Sequence, residues 1–452
     1  LGGVAERARH LQARRTVKNR ASFALGFVFM IALGTCLLAS PWAQASGKWG
    51  GFLPSLFTAC SAVCVTGLSI VDIGTEYSAA GQIAILALVQ IGGLGLMTLG
   101  TFFLIAVGRR LSLGREFSLM NAYGVEQVKG LRGLVAWAVC STFLIEGVCA
   151  AIVYWRVRDP LESAYIAVMS FCNAGLSRFT DSLAVYATDP IVLLASSFAT
   201  ILGGIGFLVI FNLCTFKFLR RSTGVRGRLS LHTRVVLRVT GWLLLAGFAA
   251  FLLLEWHGAL ASCSLPEKLY VGFFQAVTPR TCGLSVTPTE ALRPVTRFFY
   301  EVLMFIGGAP GSTAGGLKVT TFAVLLYTIR AMCRGDSETV LSCRVVPTDI
   351  VRESIVIMTA LTGFIVLVFA ALLLTDGARL PYEALFFESI SAVTTTGLSM
   401  GDTTASLSPA GKCIIMLAMF IGRLGALTVV LMIGDRETRR YVRYPTEELV
   451  VG

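Results

Sequence analysis

Gly67-Leu68-Ser69 recurs in this chain as Gly175-Leu176-Ser177, Gly283-Leu284-Ser285 and Gly397-Leu398-Ser399. The glycines of successive copies are 108, 108 and 114 residues apart, and a long apolar run follows each copy. A regular period of this length indicates one structural unit that occurs four times in series. Since four loops can surround one axis, the pattern predicts a pore.

The composition is that of a polytopic membrane protein. Of the 452 residues, 55% are hydrophobic and 14% are charged, whereas soluble domains contain about 25% charged residues. The first twenty residues are basic and lead into an apolar run without a small-residue cleavage site, so we expect no cleavable signal peptide. The twelve cysteines form no Cys-x-x-Cys motif and the three histidines are far apart, which argues against a disulfide framework or a metal-ligand cluster.

Each unit contains two apolar runs that are long enough to cross a membrane, for which about 20 residues are needed. The first runs lie at 21–40, 133–155, 235–256 and 353–375, and the second runs at 80–107, 190–216, 297–329 and 411–433. Between them, shorter apolar segments begin near Pro54, Pro160, Pro266 and Pro381, and proline suits the first turn of a helix. We therefore predict an all-α polytopic membrane protein. It has four span–pore-helix–span repeats, hence eight transmembrane helices and four re-entrant half-helices, around a central pore with pseudo-fourfold symmetry.

The predicted organisation has six parts. They are a cytoplasmic N-terminal segment (1–20), repeat 1 (21–110), repeat 2 (111–221), repeat 3 (222–334), repeat 4 (335–437) and a cytoplasmic C-terminal tail (438–452). With both termini inside, 26 of the 38 basic residues fall on the inner side, which is the positive-inside bias. This bias accounts for the net charge of +12, so nucleic-acid binding is not needed to explain it.

The loop that ends in each glycine predicts a cation selectivity filter. Non-helical backbone at membrane depth must line a cavity or be buried in protein, and glycine can turn neighbouring carbonyls toward an axis. Rings of carbonyl oxygens replace the hydration shell of a potassium ion in known filters. The predicted ligands of the cation are the main chains of Val65, Thr66, Gly67, Asn173, Ala174, Gly175, Thr281, Cys282, Gly283, Thr395, Thr396 and Gly397. The competing interpretation, tight turns between helices, explains one copy more easily than four in register.

Acidic residues follow the glycines: Asp72, Asp181, Glu290 and Asp402. They can form an outer vestibule that concentrates cations. The alternative is that they are solvated loop carboxylates, and the sequence leaves both open.

Repeat 3 differs because its second run is interrupted at 307–318. A stretch with five glycines and a proline in twelve residues does not form a stable helix, so we predict an intramembrane gating loop. Its members are Gly307, Gly308, Ala309, Pro310, Gly311, Ser312, Thr313, Ala314, Gly315, Gly316, Leu317 and Lys318. A phosphate-binding P-loop does not fit, because Leu317 follows the last glycine and Lys318 comes one position late.

Arg423 lies at the corresponding depth of repeat 4. An arginine within a membrane is expensive, almost always faces the protein interior, and marks function. We expect it to contact the carbonyls of the gating loop and to place a positive charge in the ion path. An ion pair with Glu301 or Glu388 is the alternative, and the two are compatible.

Together these residues resemble the superfamily of potassium transporters that includes TrkH, KtrB and the plant HKT proteins. The resemblance covers essentially the whole chain: four filter glycines, the Gly-Ser-Thr-Ala-Gly-Gly segment at 311–316, and Arg423 in the last span. The length and the ending at 444–452 favour the KtrB branch. By the resemblance, Arg423 matches a pore arginine that restrains the gating loop, with Ala309 standing where serine is commoner.

The resemblance implies a potassium-translocating homodimer in the bacterial inner (plasma) membrane, with one pore per protomer and contacts to lipid. It also implies a cytoplasmic KtrA-type ring of nucleotide-binding regulatory subunits, with no nucleotide on this chain. An HKT-like sodium/potassium symporter is the alternative, and glycine in all four loops resembles the potassium-selective members. An enzyme is disfavoured, since no cluster of His, Cys or carboxylates forms a nucleophile–base pair.

Overall fold

The computed structural model describes residues 24–95, 128–214 and 229–425. The predicted N-terminal segment (1–20) and C-terminal tail (438–452) lie outside these ranges, and the boundaries of the four repeats stay predictions. Within the described ranges the helices are α1 (Ala24–Ala39), α2 (Phe52–Cys64), α3 (Ile73–Glu76), α4 (Ala79–Leu94), α5 (Val128–Val157), α6 (Pro160–Cys172), α7 (Pro190–Ile205), α8 (Phe207–Cys214), α9 (Leu231–Glu255), α10 (Leu265–Val277), α11 (Pro294–Phe305), α12 (Val319–Arg334), α13 (Thr348–Asp376), α14 (Tyr382–Val393), α15 (Thr403–Ser406) and α16 (Pro409–Leu424).

Short elements complete the description. Two 3-10 turns, Ala184–Tyr186 and Thr289–Ala291, lie in the loops that follow the glycines of repeats 2 and 3. A two-residue antiparallel hairpin, β1 (Val340–Leu341) and β2 (Arg344–Val345), joins α12 to α13.

Helices of 12 or 13 residues, α2, α6, α10 and α14, cover the four segments for which the sequence predicts half-helices. Local chemistry fixes where three of them begin. Asp159 caps α6 by accepting from the backbone N–H groups of Leu161 and Glu162. Ser264 and Glu267 form a capping box on α10, and Pro381 precedes the first residue of α14. At about 1.5 Å per residue these helices reach only part of the way across a bilayer.

The half-helices connect neighbouring repeats into a closed ring. Each packs on a helix of its own repeat: α2 on α4, α6 on α5, α10 on α9, and α14 on α13. Each also contacts the second helix of the preceding repeat: α4 packs on α6, α7 on α10, α11 on α14, and α16 on α2. The last of these contacts joins the final repeat to the first.

The described residues bear out part of the predicted set of eight transmembrane helices and show a bend in the second helix of repeat 2 that the sequence did not predict. In the described residues three helices are long and apolar enough to cross a membrane, at Ala136–Val157, Leu231–Glu255 and Thr348–Asp376. The pair α7–α8 also meets these criteria when its two helices are taken together, and it is bent by 94°. The interruption expected in repeat 3 therefore also occurs in repeat 2. In repeats 1 and 4, helices α4 and α16 end at Gly95 and Gly425, beyond which the chain is outside the described residues. Gly95, Gly206 and Gly425 all have positive φ, a backbone conformation that ends a helix and favours glycine.

Buried carboxylates fasten the first helix of a repeat to the start of the second. The side chain of Glu255, at the end of α9, accepts from the backbone N–H of Arg293 at 2.9 Å and from the Thr296 hydroxyl. Asp376, at the end of α13, accepts from the backbone N–H and the hydroxyl of Ser408 at 2.7 and 2.9 Å. In each case a carboxylate neutralises free N–H groups at a helix N-terminus.

Asp376→Ala removes a fully buried carboxylate that accepts from Ser408 and Thr375. We expect the free energy of unfolding to fall by about 1–3 kcal/mol, because the donors stay buried without an acceptor. Thermal unfolding of the purified protein in detergent measures this. Glu353→Ala, at an exposed carboxylate on the same helix, is the control and should change the melting temperature little. Equal shifts for the two variants would contradict the fastening role.

Candidate ion pathway

The four glycines of the repeated tripeptides meet at one point of the molecule. A methyl carbon placed on Gly67 would lie 2.7 Å from Cα of Gly175, and one on Gly175 would lie 2.8 Å from Cα of Gly283. One on Gly283 would lie 3.1 Å from Cα of Gly397, and one on Gly397 would lie 2.9 Å from Cα of Gly67. The contacts run in chain order and return to the start, so the loops form a closed ring in which a side chain at any glycine meets neighbouring backbone.

In every loop the residue two positions before the ring glycine has a strained backbone conformation. The residues two before the glycines are Val65, Asn173, Thr281 and Thr395, and all four have φ between 52° and 71°. Three of them are β-branched, and such residues are genuine outliers at positive φ. Conformations of this kind persist where the surrounding structure enforces them and cluster at functional sites. The repeat of one strained conformation in four loops indicates that the direction of the backbone groups is what the loops preserve.

Each of the four loops also carries a side-chain oxygen atom that is buried without a hydrogen-bond partner among the described residues. These atoms are Thr66 Oγ1, Asn173 Oδ1, Thr281 Oγ1 and Thr395 Oγ1. Buried polar atoms normally have one. Unpaired acceptors of this kind are suited to a cation.

Hydroxyl groups of the half-helices hold the loops. The backbone N–H of Gly67 donates to Ser61 Oγ and that of Gly397 to Ser391 Oγ, both at 3.1 Å. In repeat 2 the backbone N–H of Gly175 donates instead to the carbonyl of Cys282 in repeat 3, at 2.7 Å. Repeats 1 and 4 therefore share one way of anchoring the loop, and repeats 2 and 3 are joined to each other.

An acidic cavity of about 590 Å³ opens on one side of the ring. Its lining contains the four glycines, the serines of the tripeptides and all four acidic residues that the sequence singles out: Asp72, Asp181, Glu290 and Asp402. Beside it the N-cap residue Asp159 is held ionised, because the backbone N–H of Glu162 lowers the pKa of its carboxyl below the usual value.

A second cavity, of about 290 Å³, lies below the interrupted segment. Its lining includes Thr313, Gly315, Lys318 and Arg423, together with Gly92–Gly95 of repeat 1. The interrupted segment of repeat 3 thus contributes to the wall of this cavity, whereas the glycine ring contributes to the wall of the acidic one.

The interrupted segment is non-helical over 306–318, in agreement with the sequence. Its ends are joined, since the backbone N–H of Gly307 donates to the carbonyl of Leu317 at 3.0 Å. Its middle is docked on the bend of repeat 2, where the backbone N–H groups of Ala309 and Thr313 donate to the carbonyls of Gly204 and Gly203. The segment also lies directly against a ring loop, because a methyl carbon on Gly315 would overlap Thr395 Oγ1.

Thr313 is the side chain that binds the segment to a second ring loop. Its hydroxyl donates to the carbonyl of Phe171 at 3.0 Å and accepts from the Asn173 side-chain amide at 2.8 Å. Sequence reasoning assigned Asn173 and Thr313 to different parts of the site, and the structure brings them together.

Arg423 bridges two parts of the pathway through main-chain carbonyls. Its guanidinium donates to Thr313 O at 2.6 Å and to Gly92 O at 2.7 Å. Among the described residues it makes no ion pair, so the alternative of a pair with Glu301 or Glu388 is wrong. Glu388 instead accepts from the hydroxyls of Ser399 and Thr404.

Two further cations contact the interrupted segment through carbonyl oxygens. Lys318 Nζ donates to Ala314 O at 2.7 Å, within the segment itself. Arg280, next to Thr281 in the third loop, donates to Gly307 O at 3.1 Å. Arg178 is placed differently, since it pairs with Glu162 at 2.8 Å and binds Gln82 beside the acidic cavity.

Comparison with known proteins assigns the chain to a family. The TrkH family, described as "Cation transport protein", matches residues 15–440. The chain belongs to the TrkH family. It is 37% identical to the Ktr system potassium uptake protein B of Bacillus subtilis (strain 168), over 95% of this chain and 96% of that one. It is 33% identical to the potassium/sodium uptake protein NtpJ of Enterococcus hirae, over 97% of this chain and 99% of that one.

The fold is that of a TrkH-family transporter. The crystal structure of the potassium transporter TrkH from Vibrio parahaemolyticus matches with a TM-score of 0.73, over 93% of this chain and 85% of that one. Its sequence identity is 16%, so the likeness concerns the fold alone. The family match and the relatives in Ktr systems confirm the family resemblance noted from the sequence.

In this TrkH-family chain, sequence reasoning missed why the second helices carry paired glycines. A methyl carbon on Gly92, Gly203 or Gly422 would overlap the carbonyl oxygen of Val63, Phe171 or Val393, respectively. Each of these carbonyls lies four residues before a ring glycine. The second helices therefore pack directly against the ends of the half-helices. The sequence signal for this contact was the glycine that begins the Gly-Gly or Gly-Arg pair at the same position of each of these helices.

Gly203→Ala tests this close approach. We expect a loss of stability of about 1–3 kcal/mol, because the added methyl forces the helix away from Phe171 O. Gly363→Ala in α13 is the matched control, since its added methyl meets open space. Replacing a helical glycine by alanine there should raise stability by about 0.5–1 kcal/mol. Thermal unfolding measures both, and changes of the same sign at the two sites would count against direct contact.

Proposed function

We propose that this chain is the potassium-conducting subunit of a bacterial uptake system, and that potassium passes through the ring of Gly67, Gly175, Gly283 and Gly397. The observation that carries the proposal is the closure of the ring by backbone alone, with one loop from each repeat. The names of the relatives support the choice of ion, since Ktr system protein B is named for potassium uptake. The predicted central pore with pseudo-fourfold symmetry belongs to this proposal.

Main-chain oxygens of the loops act as the ligands. The strained residues before each glycine direct carbonyls toward the axis, and the unpaired side-chain oxygens of Asn173, Thr281 and Thr395 add ligands at one level. A bare potassium ion needs such oxygens in place of its hydration shell. The C-terminal ends of four half-helices lie next to the ring, and their partial negative charges favour a cation there. The acidic cavity acts as an outer vestibule that raises the local cation concentration.

The interrupted segment 307–318 acts as the gate. It lies between the ring and the cavity of about 290 Å³, and Arg423 and Lys318 hold its carbonyls. Two positive charges at this depth oppose a potassium ion that leaves the ring. Opening requires the segment to leave Gly203, Gly204 and Arg423 together, which favours two discrete states, open and closed.

The membrane potential drives entry without nucleotide hydrolysis by this chain, because about 2.3 kcal/mol is available per charge per 100 mV. Regulation comes from outside: a cytoplasmic nucleotide-binding ring of the KtrA type binds one state of the gate better than the other. The relatives that belong to Ktr systems support a multi-subunit assembly, here with a homodimer of this chain in the inner membrane. Both termini face the cytoplasm, and the basic inner segments bind anionic lipid or the regulatory subunit.

A sodium-linked activity is the second candidate, in the form of sodium-dependent potassium uptake or an HKT-like symport. The relative NtpJ is named a potassium/sodium uptake protein and covers nearly the whole chain. Competition between the two ions in flux measurements separates these activities. Glycine at all four ring positions favours potassium as the main ion.

Gly67→Ser tests the filter. The new side chain faces Gly175 Cα at a φ of +105°, so the ring must widen and its preference for potassium over sodium should fall several-fold. Potassium and sodium uptake in a transport-deficient host gives the ratio. Gly47→Ser is the matched control, since Gly47 also has a positive φ but meets no atom within 4 Å. Unchanged selectivity in Gly67→Ser would contradict the assignment.

Arg423→Gln and a deletion within 309–315 test the gate. Both weaken the closed segment, since the first removes the charged bond to Thr313 O and the second removes the docking on Gly203 and Gly204. Potassium flux should rise several-fold while the potassium-to-sodium ratio stays constant. Lys412→Gln, which removes a basic residue on the same helix α16, should leave flux unchanged. If flux stays the same in both gate variants, the segment is not the gate.

A further inference from the structure

A small cavity lies behind the third ring loop, at the contact between this loop and the interrupted segment. Its volume is about 10 Å³. Arg280 comes from the loop, Gly308 from the segment and Thr240 from helix α9, and the remaining lining consists of Thr200, Ile201, Gly204, Leu244 and Val277. It is separate from the acidic cavity and from the cavity below the segment, which have other linings.

Two buried polar groups of this lining lack partners among the described residues. Arg280 is 8% exposed, and although its terminal nitrogen donates to Gly307 O, its Nε–H has no acceptor. Thr240 is 5% exposed, and its hydroxyl oxygen has no partner either. A charged donor that is buried without an acceptor is costly, and buried polar groups are almost always satisfied by protein or by ordered water. Both groups line the same cavity, so one ligand can satisfy both.

The volume of the cavity and its polar lining indicate which ligand fits. A cavity of about 10–15 Å³ accommodates about one water molecule, and a buried water molecule makes two to four hydrogen bonds. A metal cation is excluded beside a guanidinium group, and a chloride ion is larger than a water molecule. Thr200, whose hydroxyl lies 3.3 Å from Cys282 Sγ, is a third polar residue in the lining.

We propose that this cavity holds one ordered water molecule that accepts a hydrogen bond from Arg280 Nε and donates one to Thr240 Oγ1. The water completes the hydrogen bonding of the buried guanidinium. Two hydrogen bonds then hold the Arg280 guanidinium in place. One goes to the water bound by Thr240 of α9, and the other to the carbonyl of Gly307 at the start of the interrupted segment. The consequence for gating, which rests on the proposed function, is that Arg280 joins the third filter loop to the gate and favours the closed segment.

Thr240→Val distinguishes a filled site from an empty one by the sign of its effect. Valine has the shape of threonine, so removing a hydroxyl that binds nothing would leave the melting temperature unchanged or raise it. If the hydroxyl binds the water, the variant loses that bond and leaves Arg280 Nε unpaired, and the melting temperature falls. Thr240→Ser keeps the hydroxyl and should retain most of the stability.

Ser196→Ala is the matched control. The Ser196 hydroxyl is also fully buried and without a partner among the described residues, but it is not part of the cavity lining. A fall in melting temperature for Thr240→Val that exceeds the change for Ser196→Ala supports the water site. An equal or smaller change overturns it.

A high-resolution structure of the full chain in detergent or nanodisc gives a direct readout. The expected result is a solvent peak within hydrogen-bond distance of Arg280 Nε and Thr240 Oγ1 in the native protein, which is absent from Thr240→Val. A cavity without density in the native protein overturns the proposal. So does a melting temperature that depends on chloride, measured against gluconate, in the native protein and not in Thr240→Val, because that result assigns the cavity to an anion.

Potassium uptake tests the mechanical consequence separately. If the water-supported Arg280 favours the closed gate, flux through Thr240→Val rises several-fold with an unchanged potassium-to-sodium ratio. Lower stability with unchanged flux overturns the link to the gate and leaves the water site intact. Failure of the Gly67→Ser and Arg423→Gln results would overturn the proposed function and would not affect the melting-temperature or density results.

Discussion

The molecule depends on four stretches of backbone that approach one another without side chains between them. Each ring glycine faces the Cα of the next, and even a methyl group would not fit. This single constraint explains the period of the sequence, because a loop that tolerates no side chain at one position needs glycine in every copy. It also explains why neighbouring loop side chains differ, as in Val65, Asn173 and Thr281, whose shared property is a left-handed backbone. What the four loops have in common is thus a main-chain shape.

The second constraint is that the main-chain groups of the interrupted segment need hydrogen-bond partners inside the protein. Carbonyl groups of repeat 2 accept from its N–H groups, and arginine and lysine side chains donate to its carbonyls. Non-helical backbone in a bilayer must find partners inside the protein. The interrupted segment finds them on Gly203 and Gly204 of repeat 2 and on the guanidinium groups of Arg280 and Arg423. Arginine suits this task because its several N–H groups can serve two carbonyls at once. The same groups that make the segment stable in place therefore also put positive charge beside it.

The sequence was sufficient to predict the four short helices and the interrupted segment, because local patterns of glycine, proline and apolar length encode them. It was insufficient where the partner comes from another repeat. Arg423 could be expected to contact carbonyls, but a bond to Gly92 O depends on how repeats 1 and 4 meet. The bend at Gly206 was missed because α7 and α8 form one continuous apolar run in the sequence. The hydrophobicity of a run does not indicate whether its helix axis changes direction. The alternative pairing of Arg423 with Glu388 does not form, because the hydroxyls of Ser399 and Thr404 already donate to that carboxylate.

The ring of helices is closed by contacts between the first and the last repeat. Arg423 and Gly92 are 331 residues apart, and Cys60 Sγ contacts the carbonyl of Met416 over 356 residues. Contacts of such separation form late, because the intervening chain must first be ordered. During synthesis the first three repeats enter the bilayer with one side of the assembly open, and α16 completes it as the last described helix. In the proposed function, a polypeptide that ends before α16 therefore cannot complete the ion path, and it would leave the flank of α2 exposed.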